Sequence, residues 1–414
     1  MPPHALELAP FRGLRYISPD VDRFIDGGFD VARLLAPPYD IPEAREAREL
    51  QRSDPHNAAR ITLPFELSRE SHPRYRAAAH LLHSWIDKGV LAQEDEPALY
   101  VYEQTAPDGT HQRGLIGALH LDSPVRPHED VAEPPVQDRF RLMRATRANL
   151  EPIFLLYRGE NGAASRTTQE VDGDPLTSAE TRDGSLHRLW AITDPTTLDR
   201  IHTDLSRRSA LIADGHHRYA AYRKLLREDP DPGWRHGLAL LVDSDTHPPH
   251  LGAIHRVLPG LEIEQALDLA ATVAEVLPSE ATAPKNGLHL TSPEGHTHLI
   301  HDIDPRVLAE AMPDRSPEWR RLPTAALHEV LLPLWGTPEE QVRMVHDAPA
   351  RARALARETQ GAAVIVPPLS MEQVYALADR GELTPRKSTS FGPKPRTGLV
   401  MRALDTTPQS PSST

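Results

Sequence analysis

The sequence predicts a mixed α/β protein, and three observations carry that expectation. Apolar runs of strand length (Ile153–Tyr157, Ala210–Ala213, Ala362–Val366) recur along the chain, and between them apolar residues repeat at helical spacing. Clusters of Pro, Gly and Asp separate the two kinds of segment, with 41 prolines in 414 residues. From residue 189 to 229 the order is strand, helix, strand, helix, the alternation from which α/β layers are built.

Each element follows from its local pattern. Residues 11–66 alternate short apolar runs (Phe11–Tyr16, Leu34–Ala36) with Pro-rich turns, and helical spacing predicts a helix over Arg74–Gly89. Leu99–Tyr102 and Gly114–Leu119 read as paired strands joined by a turn at Pro107-Asp108-Gly109. A helix over 136–150 carries Phe140, Met143 and Leu150, and the strand Ile153–Tyr157 follows. Residues 159–185 are rich in Gly, Ser, Thr and Asp and predict a loop or polar hairpin. After the strand Leu189–Thr193, Asp194-Pro195 opens a helix with Leu198, Ile201 and Leu205 on one face. The strand Ala210–Ala213 comes next, broken by Asp214-Gly215. A helix with Ala221, Tyr222, Leu225 and Leu226 on one side then ends at Asp229-Pro230-Asp231-Pro232-Gly233. Beyond Gly260 the pattern predicts a helix over Glu262–Leu277, a strand pair between 288 and 301 and a helix over Asp347–Thr359. The strand Ala362–Val366 and a helix over Ser370–Arg380 complete the expectation. Residues 405–414, rich in Ser, Thr and Pro, are expected to be disordered.

Composition removes several function classes. A net charge of −13 argues against a nucleic-acid partner, which needs a concentrated excess of Lys and Arg, although a local basic patch stays open. With no cysteine, disulfides, thiolate metal sites, cysteine nucleophiles, redox chemistry and sulfinic-acid repair are excluded. No basic stretch followed by an apolar one opens the chain, and no apolar run is long enough for a bilayer. The expectation is a cytoplasmic protein with no membrane partner.

The most informative stretch is Asp214-Gly215-His216-His217-Arg218, where a strand stops and a helix starts. A helix start exposes unpaired N–H groups and a partial positive charge, and Gly215 lets an anion approach the backbone. Arg218 can grip a phosphate in bidentate fashion, with His216 and His217 beside it, and Asp214 is placed to hold Mg²⁺ or accept a proton. The competing reading is that Asp214 only caps the helix and the histidines are surface residues. Upstream, His128 and Glu129 follow a proline turn, with Asp138 and Arg139 within ten residues. A carboxylate so placed is a reasonable general base toward an alcohol attacking phosphorus; a solvated acidic turn is the alternative.

Lys387, Ser388, Thr389 and Lys394, around Phe391-Gly392-Pro393, make a cationic loop with hydroxyl donors that suits a phosphate or carboxylate. The loop is expected to fold back onto Asp214; the alternative is a surface turn. His247, His250 and His255 invite a zinc reading, but Pro248-Pro249 stiffens the first pair, and adjacent His216 and His217 diverge by about 100° on a helix. Signatures of the P-loop, of the dinucleotide-binding fold and of the hydrolase elbow are absent.

As a set, these motifs resemble a known family. Pro-Pro-Tyr-Asp at 37–40, His-Glu at 128–129, Asp-Arg at 138–139, Pro-Ile-Phe-Leu-Leu-Tyr at 152–157, Ala-Asp-Gly-His-His-Arg-Tyr at 213–219, His-Arg at 255–256 and Lys-Ser-Thr-x-Phe-x-Pro-Lys at 387–394 resemble the bacterial domain-of-unknown-function family 1015. The order of His-Glu, helix, Pro-Ile-Phe strand and Asp-Gly-His-His-Arg is also similar to the ParB/sulfiredoxin-like fold, in particular to its free-serine kinases. That resemblance implies a ParB/sulfiredoxin-like, nucleotide-binding core over 121–260. It would lie between an N-terminal α/β region over 1–120 and a C-terminal α/β region over 261–404 that returns the basic loop. It implies Glu129 as catalytic base with His128 beside it and Asp214 as metal or hydroxyl ligand. Gly215, His216, His217 and Arg218 become the phosphate cradle, joined by Arg139, Lys387, Ser388, Thr389 and Lys394, and residues 159–185 become an insertion.

The expected function is phosphoryl transfer from ATP or ADP, with Mg²⁺, to the hydroxyl of free serine or a similar small compound. Such chemistry asks for positioning, charge neutralisation and a base. Two rivals stay open: a regulatory protein that binds a nucleotide such as CTP, as ParB relatives do, and a non-catalytic binder of a phosphorylated amino acid. A homodimer is compatible with each.

Overall fold

The computed structural model describes residues 5–17, 30–42, 44–64, 73–279 and 287–404, so the expected disorder of 405–414 lies outside the described residues. The fold is mixed α/β, in two compact units. The first combines Met1–Pro127, Val131–Pro249 and Pro393–Thr414, and the second combines His128–Asp130 with His250–Gly392. Strands from both sides of residue 120 share one sheet.

The first unit is built on a nine-stranded sheet. Its strands are β1 (Leu8–Ala9), β2 (Leu99–Thr105), β3 (His111–His120), β4 (Val125–Arg126), β5 (Ile153–Tyr157), β6 (Thr177–Glu180), β7 (Leu186–Ile192), β8 (Ala210–Asp214) and β9 (His236–Asp243). The spatial order is β4-β8-β5-β9-β3-β2-β7-β6, with β1 beside β3. The β2–β3 pair has the expected hairpin register, Tyr100 opposite Ile116, around a turn in which Gly109 takes a positive φ of 86°. The β5, β8 and β9 strands are almost wholly buried, which is why they read as continuous apolar runs rather than as alternating ones. Helices α1 (Pro73–Asp87), α2 (Glu133–Thr146), α3 (Ala163–Glu170), α4 (Pro195–Leu205) and α5 (His216–Glu228) accompany it, with α2 packed on both α1 and α5. Ile153, Leu155, Ile212, Ala221, Leu225 and Leu241 belong to one buried cluster.

The loop or polar hairpin expected over 159–185 is in part a hairpin, the edge strand β6 pairing with β7 from Thr177 opposite Leu189 to Glu180 opposite Leu186. Two departures are corrected here, the first being helix α3, which precedes that hairpin. The helix expected to reach 150 stops at Thr146: Arg147 takes a left-handed φ of 50°, and Ala148–Asn149 pairs with Arg402–Ala403.

The second unit holds a six-stranded sheet of β11 (Ile254–Leu258), β12 (Glu275–Pro278), β13 (Leu288–Thr291), β14 (Thr297–His301), β15 (Arg343–His346) and β16 (Ala362–Ile365), all neighbours antiparallel. A separate two-stranded ladder joins β10 (His250–Gly252) to β17 (Ser390–Gly392). The helix expected over 262–277 is shorter, Ile263–Ala270, because β-branched Thr272 and Val273 follow and 275–278 pairs with β14 as an edge strand. Residues 305–341, for which the sequence suggested no elements, form short helical pieces, each of the first three begun by proline, and a π-helical turn at Leu327–Leu331, and the equally unexpected strand β15 follows. No helix of the described residues is long and apolar enough to cross a membrane.

Candidate functional site

Antiparallel pairing of β8 with β5 sets the end of β8 beside the start of β5, with Asp214 opposite Phe154. A register shift between Ile212 and Asp214 marks a bulge there, a device that re-aims side chains at strand ends. Gly215 follows with a φ of 92° and is the N-cap of α5, without a side-chain capping bond. Only a residue lacking Cβ suits that backbone, since an added Cβ would stand 3.0 Å from Ile153 and 3.1 Å from Arg218 Nε. Asp214 is therefore not the cap. Its carboxylate is engaged by two cations: Arg218 Nη2 donates to Oδ2 at 2.6 Å, and Lys394 Nζ lies 2.5 Å from Oδ1.

Lys394 arrives from far along the chain. Residues 393–404 are laced into the first unit. Gln104 Nε2 donates to the Pro393 carbonyl, the Arg396 N–H donates to the Tyr102 hydroxyl, and Thr397 and Ala36 exchange backbone bonds. The same ammonium is 3.4 Å from Asp40 Oδ2. Burial disfavours charge on Lys394, but Asp214 and Asp40 outweigh it and raise its pKa above the ordinary lysine value.

Behind this pair sits a buried carboxylate, Glu151. It accepts the Tyr39 N–H and the Thr397 hydroxyl, each at 2.9 Å, and so joins the Pro-Pro-Tyr-Asp stretch, the residue before Pro152 and the C-terminal segment. Arg139 stands 4.0 Å over the Tyr39 ring and bonds the Thr62 carbonyl and Asp138, with Glu151 at 3.7 Å. Arg218 is buried as well, and donates to the Pro152 carbonyl at 2.5 Å. Burial opposes its charge, while Asp214, Glu151 and Asp40 more than offset that and hold its pKa above the ordinary arginine value. The Tyr39 phenol is raised by burial, against the pull of Arg139. Both guanidiniums expected to face phosphate are thus occupied by protein partners, and they brace the carboxylates. His217 Nε2 accepts the Ala132 N–H at 3.2 Å, tying α5 to the start of α2, and His216 next to it is partly exposed.

The remaining expected residues lie in the second unit. His128 is fully buried, its Nε2 2.8 Å from the Thr389 hydroxyl and its ring edge-on to Phe391. Its carbonyl accepts from the Thr384 N–H and hydroxyl, and Glu129, partly buried, forms a bridge with Thr384. Ser388 donates to the Pro385 carbonyl, and Lys387 takes a positive φ of 58°. The cationic loop is therefore divided: Lys394 meets Asp214, whereas Thr389 meets His128. The histidines of the zinc reading have separate partners: His247 with Gln169, His250 with Asp347 and His255 with the Val366 N–H. Among the described residues the group of three close enough to share a metal is Glu275, His301 and Asp302 in the second unit, largely exposed.

A family model described as a protein of unknown function (DUF1015) matches residues 8–325. The chain belongs to the DUF1015 family. No curated protein matches this DUF1015 chain. Among solved structures, a free serine kinase variant in complex with ADP aligns over 69% of this chain and 92% of its own, at 14% identity and a TM-score of 0.38. SbnI with a C-terminal truncation, from Staphylococcus aureus, aligns over 70% and 87% at 11% identity and 0.40. A conserved hypothetical protein from Pyrococcus furiosus aligns over 67% and 90% at 14% identity and 0.35.

Sequence reasoning missed Asp40 and Glu151 as site residues. Asp40 stood in a motif quoted only for the family resemblance. Glu151 gave no signal beyond a charged residue just before a buried strand, a place where an acid needs a partner.

Proposed function

We propose that the Asp214 cluster binds the phosphates of a nucleotide and that this protein is a phosphotransferase acting on the hydroxyl of a small compound, free serine first among them. The observation that carries the reading is the meeting of Lys394 with Asp214 at the glycine-led start of α5. A helix N-terminus supplies N–H donors and a partial positive charge, and a lysine ammonium beside it supplies a mobile counter-charge for phosphate. Buried Arg218 and Arg139 then act as positioning residues for Asp214 and for Tyr39 with Glu151. Two carboxylates that reach one ammonium are also the donor set Mg²⁺ takes when phosphate oxygens and water complete its shell. When bound, that ion would neutralise phosphate charge; Asp214 and Asp40 would hold it. Glu129 is proposed as the general base on the motif resemblance, with His128 holding its neighbourhood through Thr389.

Phosphorus NMR of the purified protein with Mg²⁺, ATP or ADP and a panel of hydroxy amino acids tests the proposal. A phosphomonoester that forms only with protein and acceptor supports it. Absence of product across all pairs refutes catalysis, and calorimetric nucleotide binding without product would identify a nucleotide-binding regulator instead.

A further inference from the structure

We infer that the second unit holds a binding site for a small organic monoanion with an apolar body, in a cavity walled by residues between 287 and 373. The site is independent of the proposed phosphoryl transfer, since none of its walls carries a residue assigned to that reaction.

The cavity has a volume of about 600 Å³, within the roughly 300–1,000 Å³ of pockets that hold small organic ligands. Its apolar walls continue the core. Leu288 and Ile300 stand opposite each other in the β13–β14 ladder, belong to the buried cluster of this unit, and line the cavity together with Leu308. Five prolines complete the walls, Pro367 and Pro368 among them. A proline fixes its own φ and has no N–H, so such a wall resists collapse and asks no hydrogen bond of an occupant.

The polar groups on the walls are mostly donors, held in place by the protein without being used up. Arg320 donates from Nε to the Met312 carbonyl at 2.9 Å and from Nη2 to the Pro313 carbonyl at 2.8 Å, which fixes the guanidinium and leaves Nη1 for a ligand. Gln373 accepts the Ser370 N–H on Oε1 at 2.8 Å, so its Nε2 is left to donate. Arg321 is exposed, and the nearby acid Glu318 is paired with Arg380 at 2.8 Å instead. Among the described residues neither Arg320 nor Arg321 has a carboxylate within ion-pair distance. Against them stands Asp302, exposed and with one oxygen 3.0 Å from His301 Nδ1. Two arginines against one aspartate give the lining a single positive charge in excess, on a chain whose net charge is −13. A cationic cavity on an acidic protein selects a single negative charge, and two guanidiniums with an amide suit a carboxylate or sulfonate head. The apolar walls then take the body that carries it.

Anilinonaphthalene sulfonate, an aromatic body with one sulfonate, is the probe, titrated by fluorescence against the full chain. Wild-type protein is expected to bind it saturably, one per chain. Naphthoate should displace it, and naphthamide, of the same shape without the charge, should be about tenfold or more weaker as a competitor. Arg320→Gln and Arg321→Glu are each expected to weaken probe binding about tenfold, with circular dichroism confirming that the variants are folded. No saturable binding to wild type, equal displacement by naphthoate and naphthamide, or unchanged probe affinity in either folded variant overturns the inference. Should Arg320→Gln fail to fold, Arg321→Glu, at an exposed position, decides alone under the same criteria.

Discussion

Asp214 divides its two carboxylate oxygens between Arg218, four residues on in the first turn of α5, and Lys394, brought in by the C-terminal segment. One contact is local and the other long-range, and both are largely buried. They respond differently to substitution.

Arg218→Ala removes a buried guanidinium that bonds Asp214 and the Pro152 carbonyl. An uncompensated buried charge costs about 3–5 kcal/mol, and because Lys394 still meets Asp214 Oδ1 the loss is expected at or below the lower end of that range. The variant is therefore expected to lose stability first, and any loss of nucleotide affinity is to be read only on folded protein. Urea unfolding checks this, and a change below about 1 kcal/mol would contradict the buried pairing.

Gly215→Ala forces a Cβ onto a backbone with a φ of 92° and within 3.0 Å of Ile153. The expected penalty is about 1–2 kcal/mol, seen as a lower Tm, together with weaker nucleotide binding because the α5 start shifts. Unchanged Tm and unchanged calorimetry would show that the turn tolerates a side chain.

Lys394 makes a pH-dependent contribution with a definite sign. Its folded pKa is raised, so its stabilisation is complete below the unfolded lysine value of 10.5 and fades as pH rises through the higher folded value. The Tm difference between wild type and Lys394→Met should be constant from pH 7 to about 10 and shrink above that. A difference that shrinks on acidification within the neutral range would rule out this assignment.

His187 works in the opposite direction. Burial, with Arg396 adding to it, lowers its pKa to about 4, while its ring nitrogens lie 2.9 Å from the Tyr102 hydroxyl and 3.1 Å from that of Thr181. A depressed pKa contributes stability that is present above the unfolded value of 6.5 and is lost as pH falls toward 4. The loss should approach about 3 kcal/mol at the acid end, and His187→Gln should flatten that part of the stability–pH curve. An unchanged slope in the variant would assign the acid sensitivity elsewhere.

Glu129→Gln keeps the shape of the side chain and removes its capacity to take a proton. Turnover is expected to fall about 10²–10⁴-fold with nucleotide affinity preserved. Normal turnover would transfer the role of base to another group, with Asp214 the first to test.

Much of the secondary structure was legible because it is local. Asp194-Pro195 opens α4 with the expected cap, the carboxylate accepting the Thr197 N–H, and Ile153–Tyr157 and Ala210–Asp214 are strands as their apolar runs require. What escaped was weakly patterned, such as the short helix Ala163–Glu170, or stopped by backbone geometry, such as the left-handed Arg147 at the end of α2.

By itself the sequence determined the alternating elements, the family, the strand–turn–helix at Asp214-Gly215 and the absence of any cysteine chemistry. These are properties of neighbouring residues, and spacing encodes them. The return of the Lys394 loop onto Asp214 was also expected from the sequence, whereas tertiary structure alone decided that Arg218 and Arg139 face inward, that Glu151 gathers Tyr39 and Thr397, and that Asp40, 354 residues from Lys394, joins it there. The physical reason is that an ion pair reports only distance and burial. Neither exists until the sheet brings the end of β8, the start of β5 and the returning C-terminal segment together.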